Sequence, residues 1–93
     1  MICAHNWDEA KRQSNLRKHG WDFARAIEVL EGDVLEYEDE REDYGETRLI
    51  AIGAIGNVVV VLVYALYAED VVRVISLRNA LKSETEVYYA ALY

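Results

Sequence analysis

Ninety-three residues, 53% of them apolar, are enough for one modest hydrophobic core and leave no room for a second, so the expectation is a single domain over 1–93. The formal net charge of -7 opposes nonspecific attraction to phosphate backbones, and any nucleic-acid role must rest on local basic clustering. The lone Cys3 excludes an internal disulfide and no Cys/His spacing suits zinc, so neither a metal nor a cofactor is expected and the cytoplasm is the natural compartment.

In chain order, residues 2–6 read as a short strand. Asp8 then offers an N-cap, Lys11 to His19 propagate a polar helix, and Gly20 supplies its C-terminal stop. The N-terminus lacks the basic-then-apolar order of a secretory signal, which argues against secretion. A second helix starts at Asp22, with Phe23, Ala26, Ile27 and Leu30 as its apolar stripe, and ends at Gly32. Val34 to Glu38 alternates like a strand with one wet face, and the acidic run that follows reads as a solvated loop needing no ligand.

Leu49 to Ala68 is uncharged and just reaches bilayer length. Gly53, Gly56 and Asn57 interrupt it and Val58 to Val61 is a β-branched run, so two strands joined by a hairpin are predicted and no membrane span. Three strands, 47–53, 58–67 and 71–77, with turns at Ala54 to Asn57 and Ala68 to Asp70, give an antiparallel meander. A capping-box pattern at Ser83 and Glu86 starts a closing helix that presents Val87, Tyr88, Ala91 and Leu92 to the sheet. The fold class expected is α+β: an antiparallel meander with two N-terminal helices and one C-terminal helix.

Several ordered motifs along nearly the whole chain carry a family resemblance. Trp7-Asp8, Lys11, Asn15, Lys18-His19-Gly20, Phe23 and Ala26 resemble the opening WDxxKxxxNxxKHGxxFxxA pattern of BrnT-type toxins of bacterial type II toxin–antitoxin pairs. Gly45-Glu46-Thr47-Arg48 is similar to that family's GExR, Arg73 through Ala80 to its RIISARxA, and Glu84 with Tyr88 to its closing ExxxY. The resemblance implies a RelE-like fold, metal-independent endoribonuclease activity and neutralisation by a ribbon-helix-helix antitoxin.

Metal-free RNA cleavage needs a base near the 2′-hydroxyl, an acid near the leaving oxygen and cations for charge building on phosphorus. His19 and Glu46 supply proton-transfer groups, Arg48, Arg73 and Arg78 supply guanidinium forks, and Lys11, Arg12, Arg17 and Lys18 offer an RNA-binding helix. Each has a structural alternative. His19 beside Gly20 can satisfy helix-terminal carbonyls, Glu46 and Arg48 can pair with neighbours, and the helix charges can be a solvated face.

Departures from the family pattern imply a weakened site. Tyr64-Ala65-Leu66-Tyr67 stands where relatives carry a YTER-like segment, so a cation is missing, and Asn79 and Leu81 replace a basic residue and a threonine. A second reading takes Cys3 and His5, two apart on one strand face, as the nucleophile and base of a redesigned or diverged ester hydrolase, with Trp21, Leu66, Tyr67 and Leu81 lining an apolar pocket. A third is an antitoxin-binding module without catalysis.

Overall fold

The computed structural model describes residues 4–41, 43, 45–68 and 71–93, with the backbone alone at 4, 5, 67 and 68. Strand β1 (Ala4–Asn6) leads into helix α1 (Glu9–His19), a 3-10 turn (Phe23–Arg25) and helix α2 (Ala26–Glu31). Strands β2 (Leu35–Glu38), β3 (Arg48–Ile55), β4 (Val58–Ala68) and β5 (Val71–Asn79) follow, and helix α3 (Lys82–Leu92) closes the chain. β3 to β5 form the predicted antiparallel meander, β2 extends it by pairing antiparallel with β3, and the sheet order is β1-β5-β4-β3-β2. β1 joins the far side of β5 in parallel, Ala4 opposite Val71, a pairing that the sequence reading did not foresee.

The local signals explain most of the boundaries. The Asp8 carboxylate accepts from the amides of Ala10 and Lys11, satisfying N–H groups that the first helical turn leaves unpaired, so α1 starts at Glu9 with Asp8 as its N-cap, as expected. Gly20 ends α1 at φ 75, a left-handed conformation that is inexpensive only without a Cβ. The segment from Asp22 begins as a 3-10 turn before becoming α-helical, and it buries Phe23, Ala26 and Val29, while Ile27 and Leu30 are only partly covered.

The apolar stretch from 49 to 68 is two strands, as expected, with the turn tightened to Gly56-Asn57 and β3 running on to Ile55. No helix among the described residues is long and apolar enough to cross a membrane. Gly53 is not an interruption: it lies within β3, where a Cβ would come within 2.9 Å of a Val29 methyl carbon, so α2 packs closely on this strand because the side chain is absent.

Strand alternation divides the sheet into two faces. Ala51, Ile55, Val60, Leu62, Tyr64, Val72, Val74 and Leu77 face α1 and α2 and bury with Phe23, Ala26 and Val29 as the main core. Ile50, Ile52, Val59 and Val61 face the other way and form a smaller cluster under Tyr88 of α3.

The start of α3 differs from the sequence reading. Leu81 is the N-cap, and the Glu84 carboxylate reaches back to accept from its amide at 2.7 Å, so neither Ser83 nor Glu86 performs the capping. The helix consequently buries Tyr88 and partly Leu92, with Val87 and Ala91 turned outward. The Tyr88 hydroxyl donates to the Asp33 carbonyl at 3.0 Å, anchoring α3 to the segment before β2.

Candidate active site

β5 connects the two faces. On its free side beyond β1, the Asn15 amide of α1 replaces a missing strand: Nδ2 donates to the Leu77 carbonyl at 2.8 Å and to the Trp21 carbonyl at 3.0 Å, while Oδ1 accepts from the Leu77 amide. This buried side chain satisfies both backbone groups of Leu77 and fixes α1 along the strand edge. Lys11, Ser14, Lys18 and His19 therefore line a shallow groove with Ile75 and Ser76, and Lys18 and His19 border a second one with Arg78, Asn79 and Leu81.

The helix cations separate by position. Lys11 and Lys18 share the groove side of α1. Arg12 is committed elsewhere: its guanidinium bonds Glu9 at 2.6 Å and Asp22 at 2.9 Å, tying α1 to the start of the 3-10 turn. That pairing holds the Glu9 carboxyl down at about 2, with the Arg12 hydrogen bond as the leading cause, and raises Arg12 further above its ordinary value. Arg17 is exposed and falls on another side of the helix, since six residues from Lys11 at 3.6 per turn rotates it well away from the groove. Of the four helix cations, Lys11 and Lys18 line this groove.

The opposite face of the sheet carries the arginines. Arg48 stands opposite Ala65 and Ala65 opposite Arg73, so the three form one row across β3, β4 and β5. The row extends to a fourth position. Past the last pair of β2, the Asp39 amide donates to the Arg48 carbonyl at 2.8 Å, which sets Asp39 beside Arg48. Arg48 and Arg73 are two strand spacings apart, roughly 10 Å between Cα atoms, and Arg78 lies four ladder steps along, roughly 13 Å. Arg48, Arg73 and Arg78 thus share a face.

Their engagements differ. Arg73 is exposed and has no carboxylate partner among the described residues. Arg48 contacts Glu46 at 3.3 Å, the neighbour pairing anticipated for these two. Arg78 is held by Glu84 through two parallel bonds of 2.8 Å and also donates to the Asn79 carbonyl. Glu84 sits below the usual carboxylate range because of Arg78, and Arg78 is raised in turn by Glu84. Anchoring the first turn of α3 accounts for these contacts, so the transition-state role assigned to Arg78 gains no support from its geometry.

Asp39 corrects the reading of the acidic run as a purely solvated loop. It is 4% exposed, and its carboxylate grips Arg41 through two 2.7 Å bonds, Nε to Oδ1 and Nη2 to Oδ2, with the Arg41 amide adding a third contact. Tyr37, Asp39, Arg41, Ile50, Val63, Ser76, Arg78 and Glu84 line a cleft of about 340 Å³ on this face.

The remaining sequence candidates do not assemble as expected. His19 lies beyond β5 and Glu46 at the start of β3, about three strand spacings or roughly 15 Å apart, too far to serve one phosphodiester together. Trp21 donates its indole N–H to Asn79 at 2.7 Å, and Asn79 pairs with Val60, whereas Leu66 pairs with Val72 at the other end of the sheet. With exposed Leu81 beside Asn79, Leu66 is roughly 20 Å from Trp21 and Leu81, so these three do not line one pocket. Cys3 lies outside the described residues, as do the side chains of His5 and Tyr67. The backbone of His5 pairs with Val72. No group of three or more His, Cys, Asp or Glu that could hold a metal occurs among the described residues.

A four-strand antiparallel meander with helices α1 and α2 over one face, and an arginine row on the other beside α3, defines a RelE-like α+β protein. The chain belongs to the BrnT family: the model for the ribonuclease toxin, BrnT, of type II toxin–antitoxin systems matches residues 7–84. It is similar to the crystal structure of the Brucella abortus ribonuclease toxin BrnT, with 32% identity and a TM-score of 0.64 over 85% of this chain and 97% of that one. No curated protein matches the sequence.

Proposed function

We propose that this chain is a toxin that cleaves RNA without a metal ion, on the sheet face that carries Arg48 and Arg73. The observation that carries the reading is the row Arg48–Ala65–Arg73, which places two guanidinium groups on one surface with Glu46 against the first. A phosphodiester spanning that row meets planar donors on both sides, and they stabilise the negative charge that accumulates as the 2′-oxygen attacks phosphorus. Glu46 is the base that accepts the 2′-hydroxyl proton; as the 2′-oxygen bonds to phosphorus the P–O5′ bond breaks, leaving a 2′,3′-cyclic phosphate and a 5′-oxygen that takes its proton from water. Lys11, Lys18 and His19 border the strand edge along which the chain of phosphates continues.

Family membership supports both the ribonuclease reading and an antitoxin partner, which we take to be a ribbon-helix-helix protein acting in the cytoplasm. The site is slower than in relatives with Thr and Arg on the penultimate strand, because the middle of the row is Ala65 and position 67 is Tyr. Incubating purified protein with single-stranded RNA in the presence of a chelator tests the reading. Cleavage by the wild type, lost in Arg73→Ala and Glu46→Gln, is expected; RNA left intact by the wild type contradicts it. The double substitution Ala65→Thr, Tyr67→Arg is expected to accelerate cleavage, and an unchanged rate removes the claim of a weakened site.

A further inference from the structure

The family pattern expects a third cation on this face, and the penultimate strand does not supply it. The structure shows another arginine in reach of the same surface. Arg41 follows β2 at the period-two spacing Tyr37, Asp39, Arg41, and it lines the cleft with Ile50, Val63 and Ser76, the row next to Arg48–Ala65–Arg73. Its side chain is 69% exposed, whereas the Asp39 side chain that grips it is 1% exposed.

That asymmetry is informative. A carboxylate removed from water is costly unless it is paired and hydrogen-bonded, and a surface arginine gains little from such a pair when left mobile. A buried Asp39 holding the Nε–Nη2 edge of an exposed guanidinium fixes the plane of the fork beside the cleft that Arg41 lines. The same Asp39 is tied through its amide to the Arg48 carbonyl, so the orientation of Arg41 is referenced to the strand that carries Arg48. Asp39 is engaged by Arg41 and Glu84 by Arg78, and Glu38 pairs with Leu49, whose side chain packs toward the helix-covered core; Glu40 is left at the rim.

We infer that Arg41 is a substrate-binding residue of the ribonuclease site, contacting a phosphate of single-stranded RNA beside Arg48 and Arg73, and that Asp39 is its positioning residue. This rests on the ribonuclease reading and adds a residue to it. In that role Arg41 supplies from the β2–β3 connection the cation that relatives carry on the penultimate strand.

The test separates binding from cleavage. A 2′-O-methyl single-stranded oligoribonucleotide, which lacks the attacking hydroxyl, is titrated by fluorescence anisotropy over a range of salt, and the unmodified oligonucleotide is followed under single-turnover conditions. Arg41→Ala is expected to weaken binding of the 2′-O-methyl probe about tenfold and to reduce the log–log salt slope by about 0.7, the value for one phosphate contact on a single strand. Its unfolding midpoint is expected to fall, because the buried Asp39 carboxylate loses its partner, so binding and cleavage are compared where both proteins are fully folded. Arg41→Lys keeps the charge and should retain the slope while losing cleavage rate, and Asp39→Asn should weaken binding while keeping the slope. Wild-type cleavage with Arg41→Ala indistinguishable in affinity, slope and rate overturns the Arg41 assignment alone. A wild type that neither binds nor cleaves overturns the ribonuclease reading and this inference with it.

Discussion

The two faces of the sheet are built from the same strands and carry different tasks. Along β4 and β5, Val60, Leu62, Tyr64, Val72, Val74 and Leu77 point to the helix-covered side and form an apolar core. Their neighbours in sequence, Val61, Val63, Ala65, Arg73, Ser76 and Arg78, point to the other side, where apolar cover under α3 gives way to arginines and a hydroxyl. Stability is thereby concentrated on one side and chemistry on the other, separated by nothing more than the strand's period of two. Substitutions one residue apart should consequently fail in different ways.

The largest effect expected is on the covered face. Leu62→Ala removes a fully buried side chain of the central strand and should cost about 2–5 kcal/mol, read as a lower urea midpoint at unchanged slope. A cost near zero would mean that the two faces are not distinct in the way described. Next comes the clamp between α1 and β5: Asn15→Ala leaves the Leu77 amide and carbonyl without their partner and should cost about 1–3 kcal/mol, with faster hydrogen exchange at Leu77.

A smaller gain is expected at the start of α3. Leu81 occupies an N-cap position with no side-chain oxygen, where relatives carry threonine, so Leu81→Thr should stabilise by about 1 kcal/mol in thermal unfolding. The departure from the family pattern at this position bears on the helix cap.

The smallest effect is pH-dependent. Glu84 is held below its ordinary value of 4.5 by Arg78, so the pair's contribution is complete above that value and is lost as pH falls through the depressed one. Glu84→Gln, which keeps an acceptor for the Leu81 amide, should therefore differ from wild type in urea midpoint at pH 7 and converge with it as the pH falls below the ordinary carboxylate range. A difference that persists unchanged at low pH would place the effect outside the ion pair.

What was legible in the sequence was mostly local. Asp8, Gly20 and the Gly56-Asn57 turn mark boundaries because caps and tight turns depend on single side chains and their nearest amides. The β-branched run and the turns between the expected strands 47–53, 58–67 and 71–77 marked the meander for the same reason. The parallel seat of β1 on β5 and the Asn15 clamp, which joins residues 62 apart, depend on how distant segments meet, and no short-range pattern encodes that.

The start of α3 was misplaced because Ser83 and Glu86 match a capping box, yet β5 runs on to Asn79 and leaves only Ala80 and Leu81 before the helix. Among the site residues, the shared face of Arg48, Arg73 and Arg78 follows from register, and the diversion of Arg12 and Arg78 into ion pairs does not. Asp39 and Arg41 were lost within an acidic run that looks solvated by composition. The alternation of Tyr37, Asp39 and Arg41 beyond a short strand was the available signal.

The central claim, that the arginine row is where RNA is cleaved, is tested most directly by comparing single-turnover cleavage of one single-stranded RNA by wild type, Arg73→Ala on the row, and Arg25→Ala, which pairs with Glu28 beside α2. The account predicts a loss of about 10²–10³-fold for Arg73→Ala, the scale for removing one transition-state donor, and a wild-type rate for Arg25→Ala. Equal rates for wild type and Arg73→Ala would contradict it.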